Sequence, residues 1–110
     1  MTNISARKMR DNLIYSLLLS TRAEKEALTS YDWYEEQQKG LGERFMSTLL
    51  ITLSKIEANP ELFSFKCKSY REANLPTFPY VVIYRLNKRK HSIRVVSVFH
   101  TSRSPKIKYK

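Results

Sequence analysis

The apolar positions of the chain change period from one stretch to the next, and each period predicts an element. Leu13 to Leu19 is almost continuously apolar, which predicts a strand placed inside a sheet and not at a wet edge. From residue 21 the spacing becomes helical. Ala23, Ala27, Tyr31 and Tyr34 recur on one face, Leu28 widens it, and Trp33 lies to one side. Ser20 or Thr21 offers the N-cap, and Glu24 stands three residues after Thr21, the spacing of a capping box. The pattern predicts a helix over 21–38, broken by Lys39-Gly40-Leu41-Gly42, where Gly40 suits a left-handed backbone. Phe45, Leu49, Leu53 and Ile56, with Met46 and Leu50 beside them, predict a second helix over 43–58. Asn59-Pro60 ends it, because proline cannot continue the backbone ladder. Two amphipathic helices joined this tightly form an antiparallel hairpin.

Beyond Pro60 the period falls to two. Phe63, Phe65, Cys67 and Ser69 alternate with Ser64, Lys66, Lys68 and Tyr70, so 62–71 reads as a half-exposed strand with 72–77 as a connection. Two runs rich in β-branched and aromatic residues follow, Tyr80–Tyr84 and Ile93–Phe99, around the polar turn Asn87-Lys88-Arg89-Lys90. Both are apolar along most of their length, so both faces of this hairpin should be partly covered. The predicted order is β-α-α-β-β-β. A helical hairpin packed on one face of an antiparallel-dominated sheet, an α+β fold, accommodates it. Residues 1–12 read as a flexible lead-in and 13–110 as a single domain.

Composition and charge narrow the function. One cysteine, Cys67, excludes a disulfide framework and a cysteine metal cluster, and no cofactor is expected. The run 13–19 is too short to span a bilayer. Arg7, Lys8 and Arg10 precede it as in a signal peptide, but Thr21-Arg22-Ala23-Glu24 follows where a cleavage site would be needed; a cytoplasmic protein is expected. Net charge is +10, and its distribution is one-sided. Residues 1–61 carry eight Lys/Arg against nine Asp/Glu, whereas 62–110 carry twelve against the single acid Glu72. A field of one sign on part of a small domain steers it toward polyanions: nucleic acid, an acidic protein or an anionic membrane surface. The plain alternative is a solvated basic face with no partner.

Several strings, in this order and spacing, resemble the RelE/ParE superfamily of bacterial type II toxin–antitoxin toxins. They are Arg22-Ala23-Glu24-Lys25-Glu26, Tyr31-Asp32-Trp33-Tyr34-Glu35-Glu36-Gln37 running into Gly40-Leu41-Gly42, and Asn59-Pro60 with Phe63. Arg71, Phe78-Pro79-Tyr80, Ile83-Tyr84, and Val98-Phe99-His100 followed by Arg103 and Pro105 complete the set. The resemblance spans roughly residues 13–105. It implies a toxin held inactive by a cognate acidic antitoxin. RelE-like members cleave ribosome-bound mRNA without metal; ParE-like members poison DNA gyrase without cleaving anything themselves. A ribosome-dependent mRNA interferase is the first expectation and a gyrase poison the alternative. A non-toxic basic nucleic-acid-binding or protein-interaction module is a third.

Metal-free RNA cleavage needs a base, an acid and cations around the developing charge. The resemblance assigns phosphate-binding roles to Arg71 and Arg103, whose guanidinium forks match phosphate oxygens, against the alternative that each is a surface cation or holds a structural carboxylate. His100 is a candidate acid or base, with a loop-orienting role as the structural alternative. Tyr109 is a candidate for base stacking or proton transfer, against an ordinary tail residue. Lys66, Lys68, Arg85 and Lys106 are candidate nucleic-acid contacts, against a solvated basic surface. His91 reads as a turn residue, Cys67 as core, and Tyr31, Trp33 and Tyr34 as helix packing.

Overall fold

The computed structural model describes residues 15–67 and 69–102. The lead-in over 1–12 and the tail from Arg103 onward lie outside them. Seven elements follow one another: β1 (Ser16–Leu19), α1 (Thr21–Gln37), α2 (Leu41–Ala58), β2 (Phe65–Cys67), β3 (Tyr70–Asn74), β4 (Tyr80–Asn87) and β5 (Ser92–His100). The strands form one sheet in the order β1-β5-β4-β3-β2, antiparallel except for β1, which runs parallel to β5. This is the expected α+β class with one strand more. The stretch expected to be one strand over 62–71 holds β2 and the start of β3, which pair antiparallel across a reversal between Cys67 and Tyr70, and β3 continues through Asn74 into the expected connection over 72–77. The alternation that begins at Phe63 runs on through Ser69 and Tyr70, across the reversal, so the period up to that point does not reveal it.

β1 corrects a second expectation: it is an edge strand, paired only with β5. Leu17 and Leu19 pack on the core while Leu18 is 71% exposed, so its unbroken apolar character conceals an ordinary alternation. At the start of α1 the cap is Ser20. Its hydroxyl accepts the Ala23 N–H at 3.1 Å and donates to the Val96 carbonyl at 3.0 Å. The capping-box exchange read on Thr21 and Glu24 is therefore not the one used, although Glu24 still lies in the first turn, where the helix dipole favours an acid.

Small residues decide how α1 sits. Ala23, Ala27 and Ser30 are its buried positions, so its backbone lies close over the sheet. Glu26 fills the remaining gap. Its Oε1 accepts the Ser97 hydroxyl at 2.8 Å and the Val98 N–H at 2.9 Å. Both donors follow a β-bulge: β5 pairs Ser97 with Ile83 but Val95 with Tyr84, leaving Val96 as the extra residue. A carboxylate from α1 thus takes up an N–H beside the irregularity.

Between the helices, Glu35 accepts the N–H groups of Gly40 and Gly42, both at 2.9 Å, which caps the start of α2. Gly40 adopts φ 91°, the left-handed conformation expected of it. At Gly42 a Cβ would stand 2.6 Å from the Tyr31 carbonyl oxygen, so the helices cross too closely there for a side chain. Phe45, Leu49, Leu53 and Ile56 are buried, as their spacing predicts, and meet Val82, Tyr84, Val95 and Val98 across the layer. Tyr34 packs its ring on Phe45, Phe78 and Tyr80. Trp33, expected as core and helix packing, is 55% exposed, edge-on to Tyr34. On the far side of the sheet Val81, Ile83 and Phe99 form a smaller buried cluster, so both faces of the hairpin are covered. No helix among the described residues is long and apolar enough to cross a membrane.

Candidate functional site

Strand parity determines which basic side chains are available. On β3 and β4, Arg71 lies opposite Tyr84, and Tyr70 opposite Arg85. Tyr84 belongs to the helix-side core, so Arg71 points under the helices. Arg71 is only 8% exposed. One terminal nitrogen of its guanidinium donates to the Phe63 carbonyl at 2.6 Å and more weakly to that of Glu61 at 3.5 Å. The guanidinium carbon lies 4.0 Å from the centre of the Phe65 ring, whose face carries negative charge. Its Nε is buried without a hydrogen-bond partner. Next to it the Tyr84 hydroxyl donates to the Pro60 carbonyl at 2.6 Å. Burial pushes that phenol up to about 12, and the neighbouring Arg71 partly offsets the shift. Arg71 and Tyr84 together bind the 60–63 loop to the sheet. Phe65, expected on the covered side of its strand, is 58% exposed and serves as a lid over the guanidinium.

At the other end of the hairpin, His100 pairs with Tyr80 across β4 and β5, its ring edge-on at 4.9 Å. Its Nδ1 accepts the Ser102 N–H at 3.1 Å and lies 2.6 Å from the Ser102 hydroxyl. A ring nitrogen that accepts a backbone N–H carries no proton, so the neutral ring has its hydrogen on Nε2. His100 therefore orients the turn that leads toward position 103. Arg103, Tyr109, Lys68 and Lys106 lie outside the described residues, while Lys66 is a position of β2. The described predicted residues are not brought together: Arg71 lies beneath the helices, Arg85 on the opposite face near the turn, His100 at the far end of the hairpin, and Lys66 is a position of β2.

Arg85 has a neighbour that sequence reading passed over. It lies directly opposite Arg94 on β5, and both are exposed. Leu18 on β1 faces Arg94 and Tyr70 on β3 faces Arg85, completing one rung across four strands. The guanidinium of Arg85 lies over the Tyr70 ring at 5.3 Å. The strands continue to Asn87 and Ser92, and the turn occupies 88–91, with His91 in a left-handed conformation (φ 51°). Placing the turn at 87–90 shifts the hairpin centre by one residue, enough to hide the Arg85–Arg94 pairing. In the turn Lys88 pairs with Glu61 at 3.1 Å. Among the described residues no group of three His, Cys, Asp or Glu side chains is arranged to hold a metal.

A helical hairpin over one face of a mixed sheet, whose central β4–β5 hairpin carries Arg85 and Arg94 on the other face, is the architecture implied by the RelE/ParE resemblance. The family model for the ParE toxin of the type II toxin–antitoxin system, parDE, matches residues 17–105. The chain belongs to that family. Among solved structures it resembles the chromosomal ParDE toxin–antitoxin system from P. aeruginosa, with a TM-score of 0.67 and 13% identity. That match covers 81% of this chain and 98% of the other, and at this identity it speaks for the fold. No curated protein matches the chain.

Proposed function

We propose that the chain is a ParE-type toxin that acts by binding, with DNA gyrase as its target, and is neutralised by a cognate antitoxin. The observation that carries this choice over mRNA cleavage is the state of Arg71. The described cation assigned to the scissile phosphate is buried and already engaged by backbone carbonyls. To act on a phosphate it would have to leave a pocket that the 60–63 loop depends on. Membership of the ParE family favours the same reading. A nuclease remains the second reading because His100 ends β5 at the turn leading toward Arg103, with Nε2 not engaged by the turn.

The antitoxin's seat is suggested by an apolar groove of about 380 Å³ between the helices, lined by Leu19, Ala27, Leu28, Met46, Leu49 and Leu50. Leu28 and Leu50 are 60% and 56% exposed there. An amphipathic segment with an acidic polar face would cover these leucines and extend toward the basic half of the chain. The deciding experiment uses purified gyrase, relaxed plasmid and, in parallel, sequencing of RNA 5′ ends from cells expressing the chain. Loss of supercoiling with trapped DNA breaks and intact mRNA is expected. Codon-phased breaks in ribosome-bound mRNA with supercoiling untouched would establish the nuclease reading instead.

A further inference from the structure

We propose that the rung carrying Arg85 and Arg94, together with Lys90, is a binding site for the phosphodiester backbone of nucleic acid. This goes beyond the choice of target and holds for a gyrase poison or a nuclease.

The pairing itself is the first argument. Like charges directly opposite on neighbouring strands destabilise a sheet, and opposite charges are the usual arrangement. Here two arginines face each other, both exposed, and neither forms a salt bridge among the described residues. The single acid of residues 62–110, Glu72, pairs with Ile83 in the ladder, two residues along β3 from Tyr70 on the same face, so it is not directly opposite either arginine. An arrangement that costs stability and lacks a neutralising partner is what an anion site looks like before its ligand arrives.

The surroundings supply donors. Arg85, Arg94, Lys90, Asn87 and Ser92 line an open groove of about 480 Å³. The Oδ1 of Asn87 accepts the Lys90 N–H at 3.1 Å, so the turn uses its acceptor and its amide N–H₂ remains to donate. The Tyr70 ring supports the Arg85 guanidinium and reduces the ordering needed on binding. Two planar forks side by side match phosphate oxygens, and Lys90 adds a third cation further along the groove. Leu86 also lines the groove and the exposed Leu18 ends the rung beside Arg94, but the cations form a row, which fits a repeating charged backbone. The apolar groove that an acidic amphipathic protein segment needs beside its carboxylates lies between the helices.

The test measures fluorescence anisotropy of labelled single-stranded RNA, single-stranded DNA and duplex DNA, each titrated with the 110-residue chain over a series of salt concentrations. Arg94→Glu is the informative variant, because it gives Arg85 an opposite charge across the ladder and leaves the fold as stable or more so. It should weaken binding to at least one polymer by about tenfold or more and lower the salt slope by about 1 to 2. Arg85→Gln should weaken the same polymer with a smaller fall in slope. The three polymers separate RNA from DNA as the source of the phosphate. Three outcomes would overturn the site. One is that Arg94→Glu binds all three polymers as tightly as the parent chain, with unchanged slope. Another is a loss of binding that tracks a fall in Tm. The last is that it weakens binding of an acidic antitoxin peptide and leaves nucleic acid untouched.

Discussion

The contact that most exposes the logic of this fold to measurement is the carboxylate of Glu26. Its side chain is 12% exposed, and its Oε1 is the acceptor for the Ser97 hydroxyl and the Val98 N–H. Ser97 is fully buried and Val98 nearly so. Glu26→Ala leaves both donors without this acceptor beneath a helix. Hydrogen bonds to a charged group are each worth about 1.5–3 kcal/mol, and a buried donor left unpaired costs about 1–3 kcal/mol. Allowing for water entering the space left by the side chain, we expect a loss of about 3–4 kcal/mol. That is a large share of the roughly 5–15 kcal/mol that holds a domain together. Glu26→Gln keeps an oxygen in place but gives up the charge, and with it the Arg22 ion pair at 3.2 Å, so about 1–2 kcal/mol is expected. Urea unfolding followed by far-UV circular dichroism measures both, with the slope checked for constancy so that the shift reports stability. A double-mutant cycle with Ser97→Ala should give a coupling of about 1 kcal/mol. If Glu26→Ala costs less than about 1 kcal/mol, or if the cycle is additive, the bulge is not held by this carboxylate and the account of α1 on β5 fails.

Gly42→Ala should destabilise by about 2 kcal/mol in the same assay, because its Cβ would meet the Tyr31 carbonyl at 2.6 Å and Glu35 Oε1 at 2.8 Å; a neutral result would mean that the helices can separate freely there. Arg71→Ala should cost about 2–3 kcal/mol by releasing the carbonyls of residues 61 and 63, and any loss of toxicity should follow stability; full stability with lost activity would return Arg71 to the nuclease reading. Tyr84 is held above its ordinary range, at about 12, so the folded state favours the neutral phenol. Its contribution is complete below about pH 10, the unfolded value, and declines as the pH rises toward 12, so urea midpoints should drop across that window and drop less in Tyr84→Phe.

Much of the fold could be read from spacing because both helices bury one stripe each, and burial of a stripe imposes its period. Phe45, Leu49, Leu53 and Ile56 are the clearest case. The failures share a cause, which is that period does not report neighbours. Leu18 is apolar and exposed because β1 lies at the edge, and nothing in Leu17-Leu18-Leu19 distinguishes that from a central strand. The alternation from Phe63 runs through Tyr70 across the reversal between β2 and β3 and so does not mark it. Glu26 closes the string Arg22–Glu26, but its partners are more than 70 residues away on a bulge, which no local pattern encodes. At the candidate site, residue type was legible and orientation was not. Arg71 and Arg85 carry the same side chain, and a single step of strand parity separates a buried brace from an exposed cation.

That parity has a consequence for where function resides. On the helix side of the sheet the polar tips of the large residues are used internally: Tyr80 donates to Ser30 at 2.7 Å, Tyr84 to Pro60, and Arg71 to the 61–63 carbonyls. These groups make a dense, inward-looking layer whose reward is rigidity. On the other side the hairpin has its own small cluster of Val81, Ile83 and Phe99, and beyond it the strands carry Arg85 and Arg94 outward, opposite one another in the ladder. The arginines of β3, β4 and β5 are thus divided by the sheet. One arginine is used to close a loop, and Arg85 and Arg94 remain on the opposite face. A ligand that draws on the field of this protein meets the far face first, on a platform that the helix-side bonds keep from yielding.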